Sequence, residues 1–220
     1  MNSQDLKTIA VIGAGAMGQQ IAMNTAINGR KLGYNVILCD SFEKAVEKAS
    51  AWADTYLKGR VEKGRLTAEE ADFVKQHLTI TSDVDGAAAK ADFIIEAIIE
   101  DLKLNVNFSR ESAGSANQMR ILSTNSSNIV SSKLADVTEN PSRLLNVHYF
   151  NPALVMKLVE LVKGPHTSDE TIEIAKAFAV NTGKKPDRHS ERDSWIRRKQ
   201  DQCSCHSRGS LPSRKGNRNG

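Results

Sequence analysis

The stretch that decides the fold is KTIAVIGAGAMGQQIA, residues 7–22. It begins with a short apolar run rich in β-branched residues, which predicts a buried strand, and continues with a helical pattern. Between the two stand three glycines in the pattern Gly-x-Gly-x-x-Gly, which allows a tight turn and a close approach of the backbone to a pyrophosphate. We expect this turn to contact a dinucleotide cofactor through Gly13, Ala14, Gly15, Ala16, Met17 and Gly18.

An acidic residue at the end of the second predicted strand strengthens this interpretation. The run NVILCD (35–40) ends at Asp40, which stands 22 residues after Gly18. A carboxylate at this place can accept hydrogen bonds from the ribose hydroxyls of NAD and would repel the 2′-phosphate of NADP. We therefore expect NAD as the cofactor. The alternative is that Asp40 is only a solvated acid at a strand end.

The following sequence alternates strand and helix patterns. Helical periodicity covers residues 42–63, Thr67 and Glu70 form a capping box before a second helix, and a later amphipathic helix ends at Gly183. Further apolar runs of strand length are LTIT (78–81), ADFIIEAI (91–98), ILST (121–124), LLNVHYF (144–150) and VMKLVELV (155–162). The alternation predicts an α/β domain of the Rossmann type, doubly wound around a mostly parallel sheet, over residues 1–186.

The charge is unevenly distributed along the chain. The formal net charge is +4, but residues 187–220 hold nine basic and four acidic residues, a net +5, and the preceding residues hold 21 and 22, a net −1. The basic balance therefore belongs to the tail and does not indicate a nucleic-acid-binding body. A nucleic-acid binder that uses the tail remains an alternative, and it predicts salt-dependent binding.

Cysteine use and hydropathy bear on the compartment. Three cysteines form no disulfide framework, which fits a reducing environment. The opening MNSQDLK is polar, and no apolar run approaches the roughly 20 residues that span a bilayer. We expect a cytoplasmic protein with neither a membrane nor a nucleic acid as partner.

Five segments carry a resemblance to a known family. VIGAGAMG, IIEAIIEDLKL, STNSS, HYFNPALVMKLVELV and TGKKP occur in this order over residues 6–186. Through them the sequence resembles the 3-hydroxyacyl-CoA dehydrogenase family, which includes 3-hydroxybutyryl-CoA dehydrogenase. The resemblance implies an NAD-dependent oxidoreductase that interconverts 3-hydroxyacyl-CoA and 3-oxoacyl-CoA.

The resemblance also implies the reacting residues. His148 would be the general base and acid, and Glu160 would orient its ring as the acid of a catalytic triad does. Ser127 would hydrogen-bond the substrate oxygen; we prefer it to Ser126 because it stands 21 residues before His148, the spacing of the family. Two other interpretations are open: His148 as a structural histidine in an apolar strand, and Ser127 as a helix cap.

Contacts with NAD and with CoA follow from the same resemblance. Asn151 would contact the nicotinamide ribose, Glu100 would lie beside the nicotinamide, and Ser127 would face the cofactor as well as the substrate. Tyr56 and Lys63 stand where the family contacts CoA. The alternative for Lys63 is a solvated lysine with no contact to a ligand.

The resemblance ends after TGKKP. There the family continues with Pro-Gly-Phe-x-x-Asn-Arg and an all-helical second domain that supplies a further catalytic asparagine, covers the acyl chain and forms the dimer. A back-translation of 187–220, read one base later, permits TVIQKEIPGFVANR followed by an amphipathic helix. We therefore predict that 187–220 is an out-of-frame, disordered tail. Its Cys203, Cys205 and His206 would then not be metal ligands, and we expect no metal site.

A second window departs from the family. NVNFSRESAGSANQM (105–119) has little apolar periodicity, and read from the third base of each codon it can spell CELFKRIGRVCKPDA, an amphipathic helix. Asn105 would then replace a lysine on the cofactor side. Both frames remain open at this point. A non-catalytic NAD-binding relative of the same fold also remains an alternative, and the presence of Ser127, His148 and Glu160 counts against it.

Overall fold

The structure of the protein is a computed structural model, and it describes residues 5–98 and 120–190. Within these ranges the chain forms one eight-stranded sheet with α-helices packed against it. The strands are β1 (Thr8–Ile12), β2 (Asn35–Cys39), β3 (Leu78–Thr81), β4 (Phe93–Glu96), β5 (Ile121–Thr124), β6 (Leu144–Tyr149), β7 (Leu158–Lys163) and β8 (Lys185–Ser190). The α-helices are α1 (Ala16–Gly29), α2 (Glu43–Glu62), α3 (Ala68–His77), α4 (Val84–Lys90) and α5 (Asp169–Asn181).

The strand order, β3-β2-β1-β4-β5-β6-β7-β8, confirms the Rossmann-type fold. All neighbouring strands are parallel except β6 and β7, which are antiparallel. The order reverses between β1 and β4, and in such sheets the crevice at this switch point, beyond the carboxyl ends of the strands, is where ligands bind. The fold therefore locates the site before any side chain is considered.

The central strands are buried on both faces, which is why they read as continuous apolar runs rather than as alternating ones. In β1, Ile9 and Val11 pack in one cluster with α1, α2, α3 and α5, whereas Ala10 and Ile12 pack in a second cluster with α4. Successive side chains of a strand point to opposite faces, so the two clusters lie on the two sides of the sheet.

The predicted helix ends are confirmed. The Thr67 hydroxyl accepts from Glu70 N at 3.2 Å, and the Glu70 carboxylate accepts from Thr67 N at 3.1 Å, so both halves of the capping box are present at α3. At the end of α5, Gly183 has φ 74°, a left-handed conformation that glycine adopts without strain. Among the described helices, none is long and apolar enough to cross a membrane.

The glycine turn joins β1 to α1 as predicted, and two of its glycines are required by close packing. A Cβ at Gly18 would lie 1.8 Å from the carbonyl oxygen of Gly13, and a Cβ at Gly13 would lie 2.6 Å from the carbonyl oxygen of Ala97. Gly13 also has φ 104°. The absence of these two side chains lets α1 start directly over the sheet.

The predicted disorder of the tail is wrong for its first four residues. Strand β8 runs from Lys185 to Ser190, so residues 187–190 extend the sheet past the expected boundary at 186. The ladder to β7 is made by backbone groups, so a polar sequence can form it at an edge. Arg188 also pairs with Asp169 of α5 at 3.0 Å. The proposed frame change over 105–119 and residues 191–220 lie outside the described residues.

The two environments of Gly18 and Gly59 give a matched test of the turn. We expect Gly18→Ala to lower the free energy of unfolding by about 1–3 kcal/mol, because the new methyl group collides with backbone. Gly59 lies within α2 with no atom within 4 Å of a built Cβ, so Gly59→Ala should raise that free energy by up to about 1 kcal/mol. Urea unfolding followed by circular dichroism measures both; equal effects would contradict this account of the turn.

Candidate active site

A cleft of about 460 Å³ opens at the carboxyl ends of β1, β4, β5 and β6. It lies at the switch point of the sheet, where the strand order predicts a ligand. The cleft brings together side chains that are far apart in sequence. Its lining consists of Met17, Ala97, Ile98, Asn125, Ser126, Ser127, His148, Tyr149, Phe150 and Asn151.

His148 lies near the end of β6, directly opposite Glu160 of the antiparallel strand β7. Directly opposite residues of two strands project to the same face and come close together. The His148 Nδ1 atom is 3.4 Å from Glu160 Oε2, and the two residues are only 3% and 2% exposed. The sequence places an imidazole and a carboxylate in contact in a buried setting, where their electrostatic attraction is weakly screened.

Ser127 contacts the other ring nitrogen of His148. Its Oγ atom is 3.0 Å from His148 Nε2, and both residues line the cleft. Ser126 has a different task, because its buried Oγ accepts from the backbone N–H groups of Asn128 at 3.1 Å and Ile129 at 2.9 Å. Of the two serines, Ser127 is therefore the one that lies at the histidine.

Asn125 connects the loop after β5 to the end of β6. Its Oδ1 accepts from Tyr149 N at 2.9 Å, and its own N–H donates to the carbonyl oxygen of Glu96 at 2.8 Å. These two bonds hold three strand ends in a fixed relation. Ser127 follows two residues after Asn125, so the same bonds fix the serine relative to His148.

The start of α1 fits an anionic group such as a pyrophosphate. Gly15 is the N-cap of this helix and supplies no side-chain acceptor to the first turn, which carries no acidic residue. A Cβ at Gly15 would meet no atom within 4 Å, so the space beside the turn is open. The N–H groups at a helix start, with the helix dipole, attract negative charge.

Asp40 lies beside the same turn. Its Oδ2 accepts from Ala14 N at 2.8 Å, and its Oδ1 accepts from Phe42 N at 3.0 Å. The two bonds fix the carboxylate at the carboxyl end of β2, next to the glycines. Turn and carboxylate together fit the adenosine diphosphate half of NAD.

The other predicted site residues have different placements. Asn151 lines the cleft and is exposed. Tyr56 lies on α2, with its ring stacked on Trp52 at 5.2 Å between centroids, and exposed Lys63 directly follows that helix; neither lines the cleft. Glu100 and Asn105 lie outside the described residues.

Two residues that sequence reasoning missed lie behind the cleft. His189 of β8 places Nε2 4.0 Å from Glu160 Oε1 and 3.0 Å from Asp187 Oδ2. Lys184 is 5% exposed and donates from Nζ to the carbonyl oxygen of Met156 at 2.9 Å and to that of Ala153. Lys184 belongs to the TGKKP segment of the family resemblance, but nothing in the sequence distinguishes it from Lys185. No sequence signal indicates a role for His189.

Comparison with known proteins identifies the domain. Residues 8–191 match the family described as 3-hydroxyacyl-CoA dehydrogenase, NAD binding domain. The chain is 36% identical over 182 residues to 3-hydroxyadipyl-CoA dehydrogenase of Escherichia coli (strain K12). The aligned residues cover 83% of this chain and 37% of that protein. It is 33% identical over 184 residues to the fatty acid oxidation complex subunit alpha of Pseudomonas syringae pv. syringae, covering 84% and 25%. The chain thus spans about a quarter to two fifths of these relatives.

Solved structures agree with this match. The structure of 3-hydroxybutyryl-CoA dehydrogenase from Escherichia coli K12 superposes with a TM-score of 0.80 at 35% identity, over 84% of this chain and 38% of that one. The (S)-3-hydroxybutyryl-CoA dehydrogenase from Ralstonia eutropha gives a TM-score of 0.78 at 32% identity, over 84% and 64%.

The different bonding of the two serines predicts different effects of their removal. Ser126→Ala should lower the free energy of unfolding by about 1–3 kcal/mol, because backbone N–H groups lose a buried acceptor. Ser127→Ala should lower it clearly less, because the Ser127 hydroxyl contacts the His148 side chain at the cleft. Urea unfolding of the two variants beside the parent chain measures the difference; a larger loss for Ser127→Ala would contradict the assignment.

Proposed function

The chain belongs to the 3-hydroxyacyl-CoA dehydrogenase family through its NAD-binding domain, and from that premise we propose that it provides the cofactor site and the reacting residues of such an enzyme. The reaction is the NAD-dependent interconversion of a 3-hydroxyacyl-CoA and a 3-oxoacyl-CoA. The observation that carries the proposal is the buried imidazole of His148, which contacts Ser127 through one nitrogen and Glu160 through the other at the base of the cleft.

The residues fit NAD, and the family match is to an NAD-binding domain. The glycine turn and the start of α1 would hold the pyrophosphate, Asp40 the adenosine ribose, and Asn151 the nicotinamide ribose. When bound, NAD⁺ supplies the hydride acceptor for C3 of the substrate. The remaining steps are the transfer of the hydroxyl proton and the orientation of the substrate, and side chains of this chain would carry them out.

His148 is proposed to take the proton of the 3-hydroxyl group as the hydride leaves C3, and to return it in the reverse direction. Histidine exchanges protons near neutral pH and so can serve both directions. Its Nε2 atom is the one available for this transfer, because that nitrogen lies on the cleft side, next to Ser127.

Glu160 is proposed to orient the base. With the carboxylate 3.4 Å from Nδ1, the favoured tautomer carries its proton on that nitrogen and leaves Nε2 as the acceptor. The same negative charge stabilises the imidazolium that forms when His148 takes the proton. Burial of the pair strengthens this effect, since little water screens it.

Ser127 is proposed to bind the substrate oxygen. Its hydroxyl is within hydrogen-bond distance of His148 Nε2, so an oxygen seated in the cleft can contact both groups at once. That arrangement would place the reacting hydroxyl against the base and restrict its orientation, which is a large part of what enzymes contribute to such steps.

The substrate class is proposed to be acyl-CoA thioesters. The names of the relatives support it, since they refer to 3-hydroxyadipyl-CoA, 3-hydroxybutyryl-CoA and fatty acid oxidation. Tyr56 and Lys63 on and after α2 are proposed CoA contacts; the Arg60 guanidinium 5.9 Å from the Tyr56 ring centre adds positive charge there. Dimer formation through a second, helical domain is likewise proposed from the resemblance.

We further propose that the family sequence ends near residue 186 and that 187–220, whose first four residues extend β8, is translated out of frame. The family match stops at residue 191, close to this boundary, and the Pro-Gly-Phe-x-x-Asn-Arg segment that the resemblance implies is absent from 187–220. Resequencing of the gene is the test. We expect DNA that spells the Pro-Gly-Phe-x-x-Asn-Arg segment in the next frame, and DNA that cannot spell it would refute the proposal.

The activity is tested by NADH formation from 3-hydroxybutyryl-CoA, measured on this chain and on a frame-restored version. We expect a clear rate from the restored version and a lower one from this chain. In the restored version, His148→Gln should lower kcat by about 10²–10⁴-fold, the usual contribution of a general base. His77→Gln is the control, because His77 lies on α3 and stacks on Phe73 outside the cleft.

The outcomes separate the candidate functions. No turnover by the restored version would remove the enzymatic proposal, and NADH binding without turnover would favour a non-catalytic relative. A normal rate for His148→Gln would remove His148 as the base.

A further inference from the structure

The segment between β6 and β7, residues 150–157, forms one wall of the cleft and is called the cleft loop below. It brings Phe150 and Asn151 to the cleft. The loop has one internal turn, in which the N–H groups of Val155 and Met156 donate to the carbonyl oxygen of Pro152 at 3.0 and 2.9 Å. Outside this turn, the shape of the loop depends on hydrogen bonds to residues elsewhere in the chain.

Three residues from other parts of the fold contact this loop. The Gln20 side chain accepts from Leu154 N at 3.4 Å, and the Lys185 N–H donates to the carbonyl oxygen of Lys157 at 2.8 Å. The third residue, Lys184, makes the most contacts.

Lys184 precedes β8 and follows α5, and its backbone N–H donates to the carbonyl oxygen of Ala179 at 2.9 Å. Its ammonium donates to the carbonyl oxygens of Ala153 and Met156 and lies 5.8 Å from the centre of the Tyr149 ring. One positive group therefore joins both ends of the internal turn to the last residue of β6.

This position is costly for a charge. Lys184 is 5% exposed, and no carboxylate forms an ion pair with it within the described ranges. Burial lowers the pKa of Lys184 to about 8, so the side chain remains mostly charged at pH 7. An apolar side chain of similar length would fill the same space without the desolvation cost, but it would leave both carbonyl groups without this donor. The cost is offset by the charge-assisted bonds.

Asn151 depends on the loop for its placement. Its side chain makes no hydrogen bond to any described residue, and it is exposed at the cleft. A residue held in this way takes its position from its backbone. The backbone just before it is fixed by the bond between Tyr149 N and Asn125. The backbone just after it is held by the turn at Pro152, by the bond from Leu154 N to Gln20 and by Lys184.

We propose that Lys184 is a positioning residue whose ammonium fixes the cleft loop and thereby holds Asn151 where it binds the nicotinamide ribose. The inference rests on the proposed NAD-dependent function. Lys184 is not among the residues that line the cleft, so it acts through the loop and not by contact with a ligand. Its loss should weaken the nicotinamide half of the site, because the glycine turn and Asp40 on the adenosine side do not contact it.

The test compares NADH with ADP, which carries the adenosine and pyrophosphate groups but no nicotinamide ribose. Dissociation constants of both ligands are measured at pH 7 for the full chain, for Lys184→Met and for Lys185→Met. Lys184→Met should weaken NADH by roughly tenfold, equivalent to about 1.4 kcal/mol, and leave ADP unchanged. Lys185 is the neighbouring, exposed lysine, and its replacement should change neither constant.

Each result decides a different point. If the parent chain binds ADP but not NADH, or neither, the proposed function fails before Lys184 is in question. If the parent chain binds both and Lys184→Met keeps NADH affinity, or loses affinity for both ligands alike, the positioning role is overturned while the proposed function stands. If Lys184→Met does not unfold cooperatively, the ratio of the NADH and ADP dissociation constants is measured on Lys184→Gln instead. A normal ratio there, or failure of that variant to fold, also overturns the proposal.

Discussion

The antiparallel register of β6 and β7 is the constraint on which the site depends. It sets His148 opposite Glu160 and no other residue. A slip of one residue would put an apolar neighbour, Val159 or Leu161, against the imidazole and turn the carboxylate to the other face of the sheet. Most of the remaining residues of the two strands are apolar and buried, so each face of the sheet buries its own set of side chains. The core therefore stabilises the register, and the register brings base and carboxylate together.

The parallel strands bring the other site residues to one edge of the sheet. Strand ends that point the same way bring their following loops to a common edge, so residues that are distant in sequence become neighbours there. The glycine turn follows β1, Asp40 follows β2, Ser127 follows β5, and His148 lies at the end of β6. Asn125 then links these ends by hydrogen bonds to β4 and β6. A rigid scaffold with polar groups confined to one edge can hold a charged ligand without disturbing the core.

The parts predictable from sequence are those that local physics decides. Runs such as LTIT and ILST form strands over the expected residues, because apolar β-branched segments between turn residues have little alternative. The Thr67 capping box and the left-handed Gly183 are local as well. The contact of His148 with Glu160 needed a family motif, since the pairing of two strands depends on the whole sheet. Lys184 and β8 could not be foreseen, because a buried lysine and a polar edge strand contradict the hydropathy pattern and depend on backbone partners elsewhere in the chain.

The contact between His189 and Glu160 gives the carboxylate a second neighbour. One oxygen of Glu160 faces the imidazole in the cleft, and the other faces an imidazole of the edge strand, 4.0 Å away, that itself pairs with Asp187. The carboxylate therefore lies between two imidazole rings, one in the cleft and one on the edge strand. The surroundings of the buried pair therefore extend to β8, the last strand of the sheet in the described ranges. Translation of this strand in the other reading frame would replace His189, and Glu160 would then lose its second imidazole neighbour.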